Sequence, residues 1–128
     1  MARPVTKEAD GVELELEVTT ENGYTVLIPH GDLDVATVRE LRTAIHDQLA
    51  AGNVHLVLDL DEIEFIDSTG LGVLIGTRRR TYDLRGSFSI VCENQRVLRL
   101  LDLTSLDKVF TIHSDRDVAT ARSVARTR

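Results

Sequence analysis

A chain of 128 residues with 42% hydrophobic and only 4% aromatic side chains has room for one domain, and its core must be built mostly from Leu, Val and Ile. Such a domain buries roughly two thirds of the surface its unfolded form exposes. Nothing approaches the run of about 18 apolar residues that a membrane span needs, and the start MARPVTKEAD lacks the apolar segment of a signal peptide.

The single cysteine, Cys92, lies inside the apolar run FSIVC. It cannot form an internal disulfide, and it reads as a buried core thiol in a protein of the reducing cytoplasm. The net charge of −6 conceals an asymmetry: residues 1–67 hold 15 acids and 4 bases (−11), whereas residues 68–128 hold 6 acids and 11 bases (+5). Arg78, Arg79 and Arg80 form a basic run without interleaved aromatics. It reads as a solvated helix face, with no direct role in nucleic-acid binding.

In chain order, residues 1–11 read as a flexible tail and residues 12–128 as one domain. From Val12 to Thr20 apolar residues alternate with Glu13, Glu15 and Glu17, the period of a strand with one solvated side. Asn22-Gly23 predicts a type I′ hairpin turn, and Tyr24 to Ile28 a more central strand that Pro29 would end. His30 to Asp34 (HGDLD) is then a loop closing on an N-cap. Val38, Leu41, Ile45 and Leu49 mark a helix that stops at Gly52. His55 to Leu60 is a buried strand, and a short run to Ile66 leads to Ser68. Leu71, Leu74 and Ile75 resume helical spacing, with Gly86 after the end. Phe88 to Cys92 is a strand, Gln95 to Leu103 a helix, Val109 to Ile112 a strand, and Ser114 to Ala125 a last helix with Val118, Ala121 and Ala125 in line.

A hairpin followed by strand–helix alternation predicts an α/β fold. Its sheet is mixed and mainly parallel, of about five strands, with an N-terminal antiparallel hairpin and about four helices. Leu14, Leu16, Val26, Ile28, Val38, Leu41, Ile45, Val57, Leu71, Leu74, Ile75 and Val91 occupy the inward phases and should line the core. Gly72 and Gly76, four residues apart, should form a flat strip pressing the helix onto the sheet.

The stretch FIDSTGLGVLIG carries the chemical question. Ser68 as a nucleophile would need a base, yet no glycine stands two residues before it as in a G-x-S-x-G elbow. Of the histidines at 30, 46, 55 and 113, only His30 and His113 end strands from which they could approach. Gly70, Gly72 and Gly76 nearly spell a dinucleotide fingerprint, with Glu93 where a ribose ligand would stand. The spacing is off by one, however, and Asp67 at the helix start would repel a pyrophosphate. His30, Asp32 and Asp34 alternate without the further ligands of a metal cluster. What the residues leave open is a helix cap, by Ser68 or shared with Asp67, or a phosphorylation site at the first helical turn.

The segment I-D-S-T-G-L-G-V-L-I-G resembles the signature of the bacterial anti-sigma factor antagonists, single-domain proteins of the STAS family. G-D-L-D at 31–34, V-L-D-L at 57–60 and V-L-R-L-L-D-L-T-S-L at 97–106 are similar to other parts of that family's pattern, so the resemblance runs over residues 12–120. It implies a switch protein rather than an enzyme, with no cofactor. Ser68 would be phosphorylated by a partner that is both a serine kinase and an anti-sigma factor, and a metal-dependent serine phosphatase would reverse it. The unphosphorylated form would bind the kinase and release the sigma factor. Asp34, Asp67, Thr69 and Gly70 are then expected at the partner contact. The alternative within the same resemblance is a nucleotide-binding or accessory module, a scaffold or lipid-transport component, without a phospho-switch.

Overall fold

The computed structural model describes residues 3–9 and 12–121, with side chains from Leu14 onward. Among the described residues seven strands and four α-helices follow in the order β1 (Arg3–Ala9), β2 (Val12–Glu21), β3 (Tyr24–Leu33), α1 (Val38–Ala50), β4 (His55–Asp59), β5 (Ile63–Ile66), α2 (Ser68–Asp83), β6 (Ser87–Val91), α3 (Gln95–Leu103), β7 (Thr111–His113) and α4 (Arg116–Ala119). Six strands lie side by side as β1-β2-β3-β4-β6-β7, and short β5 joins the far end of β3. The two pairings at the β1 end are antiparallel, and all others are parallel. This is the mixed, mainly parallel α/β sheet expected from the sequence, with β1 and β5 in addition.

Three departures concern the early strands. Arg3–Ala9, expected within a tail, pairs along its whole length with β2; residues 1, 2, 10, 11 and 122–128 lie outside the described residues. Pro29 does not end β3. The strand runs on to Leu33 because β4 pairs only with Thr25 to Leu27 and β5 only with Gly31 to Leu33. Pro29 stands opposite Leu16 of β2 and, on its other side, falls in the gap between β4 and β5, where neither parallel partner requires an N–H from it. His30 to Leu33 is therefore strand rather than loop, with an irregularity at Gly31 (φ 116°) that re-aims the chain before β5 takes up the edge. Asn22 and Gly23 do take the positive φ of the expected tight turn, 53° and 87°.

The sheet is covered on both faces, which is why β3 is buried without alternation from Tyr24 to Pro29. Leu14, Leu16, Leu27, Leu56, Leu58, Phe88 and Ile90 pack with Val38, Leu41 and Ile45 of α1, Leu71 and Leu74 of α2, and Val97 and Leu101 of α3. On the opposite face Tyr24, Val26, Ile28, Val57 and Val91 cluster with Ala119 of α4. Helix α4 is tied across the sheet by polar bonds. The Arg116 guanidinium donates to Glu21 at 3.1 Å and to the buried Asp59 at 3.2 Å, and the Asn22 side-chain amide donates to the Thr120 carbonyl at 3.1 Å. Burial opposes the Arg116 charge, but these carboxylates outweigh it and hold the guanidinium proton more tightly than usual.

Eleven of the twelve expected core residues are buried; Ile75 is 42% exposed. Helix α2 turns Leu71, Val73, Leu74 and Thr77 inward, so Ile75 falls on the solvent side of that stripe. Helix α4 stops at Ala119, leaving Val118 exposed while Ala119 and Thr120 are buried. The expected extension to Ala125 falls partly on residues outside the described set.

The glycines also divide differently than expected. A Cβ at Gly72 or Gly76 would meet nothing within 4 Å, so these two residues do not press α2 against the sheet. A Cβ at Gly70 would stand 2.7 Å from the Ile66 side chain and 2.9 Å from the Leu33 carbonyl, and one at Gly86 would collide with the Val54 carbonyl. Close packing is therefore the business of Gly70 and Gly86.

Candidate functional site

The site is assembled where β3 and β5 end together. Leu33 is in register with Ile66, and the Asp67 amide donates to the Leu33 carbonyl at 3.1 Å. Two parallel strands thus deliver Asp34 and Ser68 at the same edge, outside the carboxyl ends of the sheet, where α/β folds place their sites.

Asp67 is the N-cap of α2. Its Oδ1 accepts the amides of Thr69 at 2.9 Å and Gly70 at 3.1 Å. Ser68, the first helical residue, is exposed, and its hydroxyl makes no hydrogen bond among the described residues. Of the two candidate caps, the aspartate does the work. Thr69 is half-buried and Gly70 is buried against Leu33.

Asp34 stabilises the neighbouring turn. Its carboxylate accepts the Ala36 amide at 3.0 Å and the Thr37 hydroxyl at 3.3 Å, while its carbonyl accepts the Val38 amide at 2.9 Å. The Thr37 hydroxyl bonds the Asp32 carbonyl at 2.6 Å, fixing the loop to the strand. Asp34 is half-buried and belongs to the turn that starts α1, a firmer attachment than that of a free loop carboxylate. Asp32, Asp61, Glu62 and Glu64 are exposed on the adjoining segments.

None of the four histidines serves Ser68. His30 Nε2 lies 3.9 Å from Glu17, His46 Nδ1 faces Arg80 at 3.2 Å, His55 Nδ1 faces Ser87 Oγ at 2.9 Å, and the His113 carbonyl accepts the Cys92 amide at 3.0 Å. Glu93, considered as a ribose ligand, donates its amide to Asp61 at 2.6 Å and points outward. A phosphate cradle at α2 would need the amides that Asp67 already occupies. Among the described residues no group of three or more His, Cys, Asp or Glu could hold a metal ion, and no helix is long and apolar enough to cross a membrane. Cys92 is buried, and burial pushes its thiol up to about 11, helped by the carboxylates of Asp61, Asp59 and Glu93 against a bond to Asn94.

Two apolar residues escaped the sequence reading. Val35 is 76% exposed beside Asp34, and Phe65 is 52% exposed three residues before Ser68. Strand β5 buries Ile63 and Ile66 but exposes Glu64 and Phe65 between them, so no period-two alternation marks Phe65 as outward.

Comparison with known proteins identifies the family. Residues 15–120 match the STAS domain family. An anti-sigma F factor antagonist of Paenibacillus polymyxa is 31% identical over 106 residues, 81% of this chain and 90% of that protein. An anti-sigma-B factor antagonist of Staphylococcus aureus is 27% identical over 107 residues, 84% of this chain and 99% of that protein. The crystal structure of an anti-sigma factor antagonist from Mycobacterium paratuberculosis superposes with a TM-score of 0.74 at 30% identity, covering 83% of this chain and 90% of that one. With the family pattern spanning β2 to α4 and the D-S-T-G-L-G segment at the joined ends of β3 and β5, the chain belongs to the STAS domain family.

Proposed function

We propose that this protein is an anti-sigma factor antagonist whose grip on a serine kinase that is also an anti-sigma factor is switched off by phosphorylation of Ser68. The observation that carries the reading is the exposed, unbonded Ser68 hydroxyl on the first turn of a helix that Asp67 already caps. The hydroxyl has no structural task and no base, so it is a substrate group rather than a nucleophile. The names of the relatives support the antagonist role.

The local charges explain how the switch acts. A phosphate adds about −1.5 to −2 charge. The helix dipole would favour it, but the amides of Thr69 and Gly70 are taken by Asp67, whose own charge stands one residue away. Repulsion from one carboxylate about 6 Å away is of order 1 kcal/mol in water and larger in a partner-covered site. The phosphate is therefore presented outward, to a partner that docks on Asp34, Asp67, Thr69 and Gly70 with Val35 and Phe65 as apolar contacts. A metal-dependent serine phosphatase resets the cycle, and the chain itself has no turnover.

The test is mass spectrometry of the protein after incubation with ATP and each candidate serine kinase of its genome. Phosphate on Ser68, absent in Ser68→Ala, is the expected result. Phosphate confined to Thr69, or hydrolase turnover lost with Ser68, would sink the reading and leave an accessory module as the alternative.

A further inference from the structure

Helices α1 and α2 enclose a groove of about 220 Å³ whose lining includes Arg42 and Ile45 on one side and Gly72, Gly76 and Arg80 on the other. Its floor is bare backbone, because neither glycine has an atom within 4 Å of where its Cβ would be. Glycine inside a helix costs stability relative to alanine, and nothing within the described fold repays that cost here. The rim is cationic and uncompensated. Arg42 and Arg80 form no ion pair among the described residues, and Arg80 donates only to His46 at 3.2 Å.

Ser68, Gly72 and Gly76 follow one another at four-residue intervals on α2. The groove thus begins on the face that presents Ser68 and reaches Gly76 about 12 Å further along the helix. Arg80 stands in the last turn of α2, at the end of the groove away from Ser68.

We propose that this groove is a docking site for a carboxylate-bearing helix of the protein that binds Ser68, seated on the Gly72–Gly76 floor with its acids against Arg42 and Arg80. The identity of that protein rests on the function proposed above, whereas the recognition chemistry does not. The missing side chains let another backbone approach closely, and the two guanidinium groups select for negative charge.

The isotopically labelled chain, titrated with an alanine-based helical peptide carrying glutamates at four-residue spacing, tests the chemistry directly by nuclear magnetic resonance. The amides of Gly72 and Gly76 should shift, less so at high salt, and the shifts should vanish in the Arg42→Ser, Arg80→Ser double variant and in Gly76→Leu. A glutamate helix that leaves both amides unmoved overturns the proposal, as does a lysine counterpart that moves them equally. For a kinase shown to phosphorylate Ser68, Arg42→Glu with Arg80→Glu should weaken binding at least tenfold while circular dichroism stays unchanged. Unaltered affinity would overturn the groove and leave the phospho-switch standing. Shifted glycine amides with no kinase acting on Ser68 would do the reverse.

Discussion

The Asp67 amide is held by the Leu33 carbonyl at 3.1 Å, and through that bond the last residue of β3 positions the cap of α2. Asp67 does two things at once: its backbone closes the β3–β5 ladder, and its carboxylate takes the first free amides of the helix. Asp67→Ala should cost about 1 kcal/mol, within the 0.5–2 range of lost caps. Ser68→Ala should stay within about 0.5 kcal/mol, as for a surface change. Urea unfolding of the two variants decides the matter, and a larger loss for Ser68→Ala would make the hydroxyl the true cap.

The binding consequence is separate from stability. On the proposed function, Ser68→Ala should bind the anti-sigma kinase as the wild type does and resist modification, while Ser68→Glu should lose about 3 kcal/mol, over a hundredfold in Kd. Asp34→Asn is the cleaner probe of the loop charge, since an amide oxygen can still accept the Ala36 amide. It should fold normally and be phosphorylated more slowly. Calorimetry with circular dichroism as control measures all of these, and equal binding by every variant contradicts the switch.

Glycine replacements should split by pair. Gly72→Ala and Gly76→Ala have open space and should each gain about 0.5–1 kcal/mol. Gly70→Ala and Gly86→Ala force backbone or packed side chains to move and should lose about 1–3 kcal/mol or more. Thermal unfolding of the four variants reads the sign directly.

Adjacent residues on α2 test the helix phase. Leu74, fully buried, should cost about 2–5 kcal/mol on replacement by alanine. Ile75→Ala, at an exposed position, should change stability by no more than about 0.5 kcal/mol. Similar losses for both would rotate the helix from the position described.

Much of this was legible in the sequence because the period of a covered element is written in its own residues. Helix α1 shows it best, with Val38, Leu41, Ile45 and Leu49 all buried as spaced. The site segment was legible too, since Asp67, Ser68 and Gly70 are local to one turn. What stayed hidden was relational. Pro29 looks like a strand end until the gap between β4 and β5 is known, and the stretch RPVTKEA at 3–9 shows no apolar alternation from which its pairing with β2 could be read. Gly72 and Gly76 share with Gly70 the look of packing glycines, and only the positions of Leu33 and Ile66 tell them apart. Ile75 and Val118 fell one position off the buried stripe, a distinction that short helical patterns do not encode.

The Cys92 thiol gives a pH signature. Its folded value of about 11 lies above the ordinary 9.0, so the folded chain binds that proton more tightly. The contribution is complete below about pH 9 and is lost as pH rises toward 11. The urea midpoint should therefore fall between pH 8 and pH 10 more steeply in the wild type than in Cys92→Ala. Parallel slopes would show that the thiol is not burdened by burial.

The bonds from Arg116, Asn22 and Thr120 span 95, 98 and 99 residues of chain. During synthesis the β2–β3 hairpin leaves the ribosome long before the helix that covers it. At about 5–20 residues per second, the delay is roughly 5–20 s. For that interval Tyr24, Val26 and Ile28 have no α4 above them, and the nascent chain carries an uncovered apolar face. Until α4 arrives, that face is open to association with other chains.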